Sequence, residues 1–148
     1  MKQQPSPTSQ SGKAVTISVG IPAYNEEKTI SQLLHSILEQ PVDGLVLKEI
    51  VVNASGSTDD TDAKVQAMMR VDSRTKLISG TRREGKAAAL NDILQRVTSD
   101  LVLLIDADVT LEKNSMENLI TPLLQNEKIG VCSGNVMPVK DLSQKGFF

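Results

Sequence analysis

The chain has 148 residues, enough for one domain with a substantial core but too few for two ordinary domains. Its composition is 39% hydrophobic and 23% charged, which excludes a collagen-like chain and a chain that cannot form a core. The net charge of -2 offers no broad basic surface, so we expect no nucleic-acid partner. The lone cysteine cannot form an internal disulfide, so the fold needs no oxidising compartment.

The two ends of the chain differ in character from its middle. Residues 1–13 are rich in Gln, Ser and Pro, which predicts a disordered leader rather than a signal peptide. No apolar stretch reaches the roughly 18 residues of a membrane helix. We therefore expect a cytoplasmic protein, any membrane attachment coming from segments absent from this chain. Phe147 and Phe148 have nothing after them to pack against. They indicate a chain truncated inside a longer protein or, alternatively, a short docked tail.

Strand and helix signals alternate after the leader. Apolar β-branched runs predict strands, and apolar residues at intervals of three and four predict amphipathic helices. The predicted elements are strand 15–21, a helix from Asn25 to before Pro41, strand 47–52, a helix from about 58 to 70, strand 75–79, helix 85–97, strand 101–105, a helix capped by Asn114 and kinked or shortened by Pro122, and strand 129–133. This order predicts one α/β domain over residues 14–148, with an open, mainly parallel Rossmann-like sheet and helices on both faces.

Several predictions concern capping and burial. Asn25 is expected to cap the first helix, with Glu26 and Glu27 in its first turn, where the helix dipole favours negative charge. The continuous apolar run 101–105 predicts a strand covered on both faces. Cys132 is expected to lie in a buried strand. The predicted inner faces of the second and third helices comprise Val65, Met68 and Met69, and Ala87, Leu90, Ile93, Leu94 and Val97.

Polar residues follow each of the first four predicted strands, at 22–27, 53–60, 82–86 and 106–108. In open parallel sheets, ligands bind at the carboxyl ends of the strands. The acids Asp106 and Asp108 stand two residues apart at the tip of an apolar strand. A divalent cation such as Mg²⁺ or Mn²⁺ would relieve their repulsion, with water and phosphate oxygens completing its shell. In the alternative, Asp108 caps a turn and Asp106 accepts backbone N–H groups.

Two further stretches have both a functional and a structural interpretation. Gly56 opens a turn whose hydroxyl and carboxylate side chains either contribute to a site or simply cap the next helix. Arg82, Arg83 and Lys86 flank the start of the third helix, where cations favour a phosphate. The alternative for these three is a solvated basic loop.

Four stretches taken together resemble the nucleotide-binding half of the family 2 glycosyltransferases, inverting enzymes of the GT-A fold. The resemblance covers residues 15–138. The stretches are VGIPAYNEE at 19–27, EIVV at 49–52 with GSTDDT at 56–61, GKAAALN at 85–91 and DLVLLIDAD at 100–108.

The resemblance implies a nucleoside-diphosphate-sugar donor, a UDP-sugar being favoured and a GDP-sugar possible, held with Mg²⁺ or Mn²⁺. It also implies transfer to an acceptor with inversion, although the motifs do not identify the sugar or the acceptor. By the same resemblance, Pro22, Ala23, Tyr24 and Glu26 would border the base and ribose. Asp106 would meet the ribose or a metal-bound water, Asp108 would ligate the metal, and Lys86 and Arg83 would lie near the base or phosphates.

Two departures from the family pattern matter. Ser55, preceded by Ala54, stands where relatives often carry an acid that pairs with the uracil N–H, and a hydroxyl is a weaker acceptor. The family's catalytic base lies downstream, in an acceptor half that this chain lacks, so no catalytic residue is assigned. These departures keep open a non-catalytic nucleotide-sugar-binding or regulatory module. A receiver domain and a sugar nucleotidyltransferase fit less well, because their signatures after the first strand are absent.

Overall fold

The structure is a computed structural model that describes residues 14–41 and 44–137. Strands and helices alternate as β1 Val15–Pro22, α1 Ile30–Leu38, β2 Leu45–Asn53, α2 Thr61–Val71, β3 Thr75–Ile78, α3 Lys86–Arg96, β4 Leu101–Leu104 and α4 Ser115–Gln125. The predicted leader and the two terminal phenylalanines lie outside the described residues. Within the described ranges, no helix combines the length and apolarity needed to cross a bilayer.

The sheet has four strands in the order β3-β2-β1-β4, and every pairing is parallel. The prediction of a parallel α/β sheet is therefore confirmed. The chain builds outward from β1 to β3 and then returns to place β4 on the other side of β1. Right-handed crossovers put α1 and α2 on one face and α3 on the other. The strand order reverses between β1 and β4, which is where such sheets bind ligands.

The main apolar core lies on the face covered by α1 and α2. Alternate residues of β1, among them Ile17, Val19 and Ile21, are fully buried there. Met116 and Ile120 of α4 join the same cluster. This side of the molecule therefore has the continuous apolar core that the composition indicates, and its members among residues 14–41 and 44–137 include no aromatic residue.

The face covered by α3 is polar as well as apolar. Gly20 lets α3 pack closely on β1, since an added Cβ would lie 2.6 Å from Ile93 Cγ2. Ser18 Oγ donates to Glu49 Oε1 at 2.9 Å, and Lys76 Nζ lies 2.6 Å from Glu49 Oε2. Burial raises the pKa of Glu49, but these hydrogen bonds and the nearby lysine charges outweigh it, so the pKa is lowered. The buried carboxylate therefore stays ionised and paired.

Burial on the α3 side differs from the prediction. Val102 and Leu104 of β4 are 38% and 44% exposed, and Leu94 of α3 is 47% exposed. The expectation that β4 is covered on both faces was wrong, because α3 packs over β1 and β2. Ala87 is also exposed. In α2, Met69 is 40% exposed rather than part of the inner face.

The predicted fifth strand is absent from the described part of the chain. Residues 129–133 form no strand, Val131 is 85% exposed, and Cys132 is only partly buried. The apolar, β-branched composition favours an extended chain, but a strand also needs a neighbour with which to pair. Among the described residues, the outer edge of β4 is unpaired, and residues 129–133 do not pair with it.

The predicted helix cap at Asn25 was wrong, and the one at Asn114 was correct in position only, since Asn114 is the N-cap residue of α4. Asn25 has a left-handed φ of 57° and lies before α1, which begins at Ile30, so Glu26 and Glu27 are not in its first turn. The side chain of Asn114 makes no capping bond to α4. Instead, Met116 N donates to Gln40 Oε1 at 3.2 Å, so a side chain from the end of α1 caps α4. Helix α4 runs through Pro122 to its end at Gln125.

Candidate nucleotide site at the carboxyl edge of the sheet

A cleft of about 300 Å³ lies at the carboxyl ends of the strands, around the point where the strand order reverses. The sequence-predicted site residues all line it: Pro22, Ala23, Tyr24, Glu26, Ser55, Arg83, Lys86, Asp106 and Asp108. They come from four separate loops, as the parallel topology requires. The structure therefore brings the predicted residues together, while their individual roles remain predictions.

One end of the cleft lies at the tip of β4. Lys86, the first residue of α3, places its Nζ 2.6 Å from Asp106 Oδ1. The two side chains are 61% and 53% exposed, so water and salt screen the pair strongly. Asp108 is exposed and, among the described residues, makes no ion pair or hydrogen bond. This end therefore presents acidic oxygens and a lysine to solvent.

The donor set at this end fits a hard divalent cation bound largely through a ligand. Within the described ranges, no group of three or more His, Cys, Asp or Glu residues could form a complete protein cage. The exposed carboxylates of Asp106 and Asp108 are the oxygen ligands that Mg²⁺ and Mn²⁺ prefer. Mg²⁺ commonly uses one or two carboxylates and takes its remaining ligands from phosphates and water. These two residues thus fit such an ion.

At the other end of the cleft, the guanidinium group of Arg83 stacks on the aromatic ring of Tyr24. The Cζ atom of Arg83 lies 3.9 Å from the centroid of the Tyr24 ring, within the range of a cation–π contact. Tyr24 follows β1, whereas Arg83 belongs to the loop between β3 and α3. The stack therefore joins two loops across the cleft, and it leaves Tyr24 36% exposed.

The loop after β1 is tied to the turn after β2. Asn25 N donates to Ser57 Oγ at 3.2 Å, and Thr58 N donates to Asn25 Oδ1 at 2.8 Å. Glu26 N donates to Thr61 Oγ1 at 2.8 Å. Asn25 has left-handed backbone, a conformation that Asn adopts more readily than most residues, while its side chain bonds to the second loop. These polar side chains thus buttress the loop that carries Tyr24 and Glu26.

Two carboxylates accept hydrogen bonds from backbone N–H groups at the start of α2. Asp59 Oδ1 accepts from Thr61 N at 3.0 Å, and Glu27 Oε2 accepts from Asp60 N at 3.1 Å. Burial raises the pKa of Asp59, but hydrogen bonds from Thr61 and Glu27 outweigh it and lower the pKa. Glu27 therefore serves the second helix rather than the first. The helix-capping interpretation therefore describes the carboxylate of Asp59, whereas the hydroxyls of Ser57 and Thr58 bond to Asn25 in the loop after β1.

Three polar residues outside the predicted site set also line the cleft: Asn53, Glu84 and Asp92. Asn53 is 1% exposed, and its Nδ2 lies 3.4 Å from Asp92 Oδ2. Its Oδ1 accepts from Ser55 N at 3.1 Å. Asp92 could have been found from helix spacing, since Lys86, Ala89 and Asp92 recur every three residues and share one face.

The glycosyl transferase family 2 model matches residues 18–145. Among curated proteins, the chain is 42% identical over 117 residues to the glucosyl-3-phosphoglycerate synthase of Mycobacterium tuberculosis strain H37Rv. The match covers 77% of this chain and 36% of that protein. It is also 31% identical over 132 residues to the Escherichia coli UDP-Glc:alpha-D-GlcNAc-diphosphoundecaprenol beta-1,3-glucosyltransferase WfgD, covering 89% of this chain and 50% of the relative. The chain thus spans about a third to a half of these two relatives.

Solved structures give the same assignment. A Pyrobaculum calidifontis mannosyltransferase in complex with GDP-Man and Mn²⁺ superposes with a TM-score of 0.65 at 34% identity, covering 79% of this chain and 33% of that one. The M. tuberculosis glucosyl-3-phosphoglycerate synthase with Mn²⁺, UDP and phosphoglyceric acid has a TM-score of 0.63 at 35% identity, covering 78% and 41%. The fold is therefore that of the GT-A glycosyltransferases. The chain belongs to glycosyl transferase family 2.

Proposed function

We propose that this chain is the donor-binding part of a metal-dependent family 2 glycosyltransferase that acts on a nucleoside-diphosphate sugar with inversion. The observation that carries the proposal is the convergence of all predicted site residues on one cleft at the reversal of strand order. Relatives solved with UDP or GDP-Man together with Mn²⁺ support it. These two relatives bind nucleotides with different bases, so the expected preference for UDP rests on the sequence resemblance alone. A cytoplasmic location stays a prediction from the sequence.

The proposed orientation of the donor follows from the charges in the cleft. The diphosphate lies at the β4 tip, where Asp106 and Asp108 hold the cation and Lys86 supplies a positive charge. The base and ribose lie toward the ends of β1 and β2, bordered by Pro22 and Tyr24. These two ends are separated by up to two strand spacings of about 4.8 Å each, a distance that a ribose can bridge.

The chemistry is the departure of a nucleoside diphosphate, which gains negative charge as the sugar bond breaks. A divalent cation held by Asp106 and Asp108 would stabilise that charge as a Lewis acid. Lys86 is placed to exchange its ion pair with Asp106 for a contact with a phosphate oxygen, because the pair is exposed and weak. Arg83, stacked on Tyr24, adds positive charge toward the base end.

Calorimetric titration of UDP and GDP, with and without Mn²⁺, tests the proposal. We expect Mn²⁺-dependent binding of at least one nucleotide and tighter binding of UDP. Neutralising both acids with Asp106→Asn and Asp108→Asn removes the cation dependence, whereas Glu127→Gln, an exposed acid outside the cleft, leaves binding unchanged. Failure of both nucleotides to bind in a metal-dependent way overturns the proposal.

A further inference from the structure

Gly56 packs against the backbone of the loop that contains Arg82 and Arg83. Its φ is +82°, and Gly56 N donates to Gly80 O at 2.8 Å, which joins the loops after β2 and β3. A Cβ atom added to Gly56 would lie 2.5 Å from Arg83 N and 2.7 Å from Arg83 Cα. Both distances are far inside van der Waals contact. Because the opposing atoms are backbone, no side-chain rotation can relieve the clash.

We infer that Gly56 is a positioning residue for Arg83, and that it acts by letting the 82–83 backbone approach closely enough for Arg83 to stack on Tyr24. Removing the clash requires a backbone shift of about 1 Å, since carbon atoms in contact lie about 3.5–4.0 Å apart. Because Arg83 Cζ lies 3.9 Å from the ring centroid, a shift of this size moves the guanidinium away from its close contact and uncovers part of the Tyr24 ring. The consequence for nucleotide binding rests on the proposed function, but the positioning itself does not.

The molecule contains its own reporter for this contact. Tyr24 is the only tyrosine, and there is no tryptophan, so intrinsic emission comes from the ring that Arg83 covers. Acrylamide quenching of the unliganded protein measures how open that ring is. We expect Arg83→Ala to raise the quenching constant and Gly56→Ala to raise it as well, by no more than Arg83→Ala does. The double variant should show no further rise, because both changes remove one contact.

Two variants separate the clash from backbone strain. Gly44→Ala introduces a side chain at a similar φ of +75°, next to the start of β2 at the opposite edge of the sheet, and should leave quenching at the wild-type value. Gly56→Asn keeps a residue type that tolerates positive φ but adds the Cβ, so it should raise quenching even if the alanine variant folds poorly. Wild-type quenching in Gly56→Asn, or additive effects of the Gly56 and Arg83 changes, would overturn the inference.

Nucleotide affinity gives the functional readout. With Mn²⁺ present, Gly56→Asn and Arg83→Ala should each weaken UDP binding by up to about fivefold, the size expected for one exposed charged contact between Arg83 and the nucleotide, with no further loss when combined. If Gly56→Asn weakens UDP binding by the same factor in the Arg83→Ala variant as in the wild type, the inference is contradicted. If the wild type binds no nucleotide, the proposed function fails, while the quenching result still decides the role of Gly56.

Discussion

The two ends of the cleft are built differently. At the base end, the loops after β1 and β2 are held by reciprocal hydrogen bonds between Asn25, Ser57 and Thr58, and by Glu26 with Thr61. At the β4 end, the described residues provide one exposed ion pair, Lys86 with Asp106, and the unpartnered acid Asp108. The protein thus fixes the end of the cleft that, under the proposed function, would receive base and ribose. Under the same proposal, the cation and the ligand would organise the β4 end.

The largest expected effect is at the open end. Asp108→Asn should weaken Mn²⁺-dependent UDP binding by about 10- to 100-fold, the loss typical even for residues that only support a metal ligand. The free energy of unfolding should change by less than about 0.5 kcal/mol, because the side chain is exposed. Calorimetric titration and urea unfolding measure the two quantities. A large loss of stability with unchanged affinity would reverse the assignment of the two ends.

A substitution at the base end should instead lower stability. Asn25→Ala removes the acceptor for Thr58 N and puts alanine at a φ of 57°. The free energy of unfolding should therefore fall by about 1–2 kcal/mol. Asn25→Gly is the matched control, because it relieves the backbone strain but not the lost hydrogen bond. It should recover part of the stability in urea unfolding. Full stability in the alanine variant would show that the tie contributes nothing.

The two ends of the cleft should also differ in how they contribute to the pH dependence of stability. The folded-state pKa of Asp59 is lowered, so its ionised form stabilises the protein above its ordinary pKa of 3.8, and this contribution disappears as the pH falls through the lower folded value. Asp59→Asn should therefore flatten the acid limb of a stability–pH curve from urea unfolding. An equally flat limb in Asp108→Asn would contradict the distinction between the two ends.

The smallest effect is expected for the exposed ion pair. Lys86→Met should change the free energy of unfolding by no more than about 1 kcal/mol, and added salt should erase the difference, since both partners are more than half exposed. The same variant should still weaken UDP binding. A stability loss that persists at high salt would show that the β4 end is preorganised like the base end.

The sequence predicted the order of the first four strands and four helices, and it predicted that the candidate site residues would meet at one edge, because the carboxyl ends of parallel strands share that edge. It failed where a residue type has two roles. Asn favours both an N-cap and left-handed backbone, and Asn25 adopts the second. It also failed where an element depends on its neighbours: residues 129–133 have strand composition but pair with neither edge strand of the sheet. Asp92 was missed because it reaches the cleft from a helix face rather than from a strand end.

Manganese-induced line broadening in a backbone amide NMR spectrum, with Mg²⁺ as the diamagnetic control, tests whether the tip of β4 holds the cation. With UDP bound, we expect Mn²⁺ to broaden selectively the amides of residues 106–108 and of Lys86, while amides near the start of β2 remain sharp. Broadening centred elsewhere, or none in the presence of UDP, would contradict the claim that the tip of β4 holds the cation and the diphosphate.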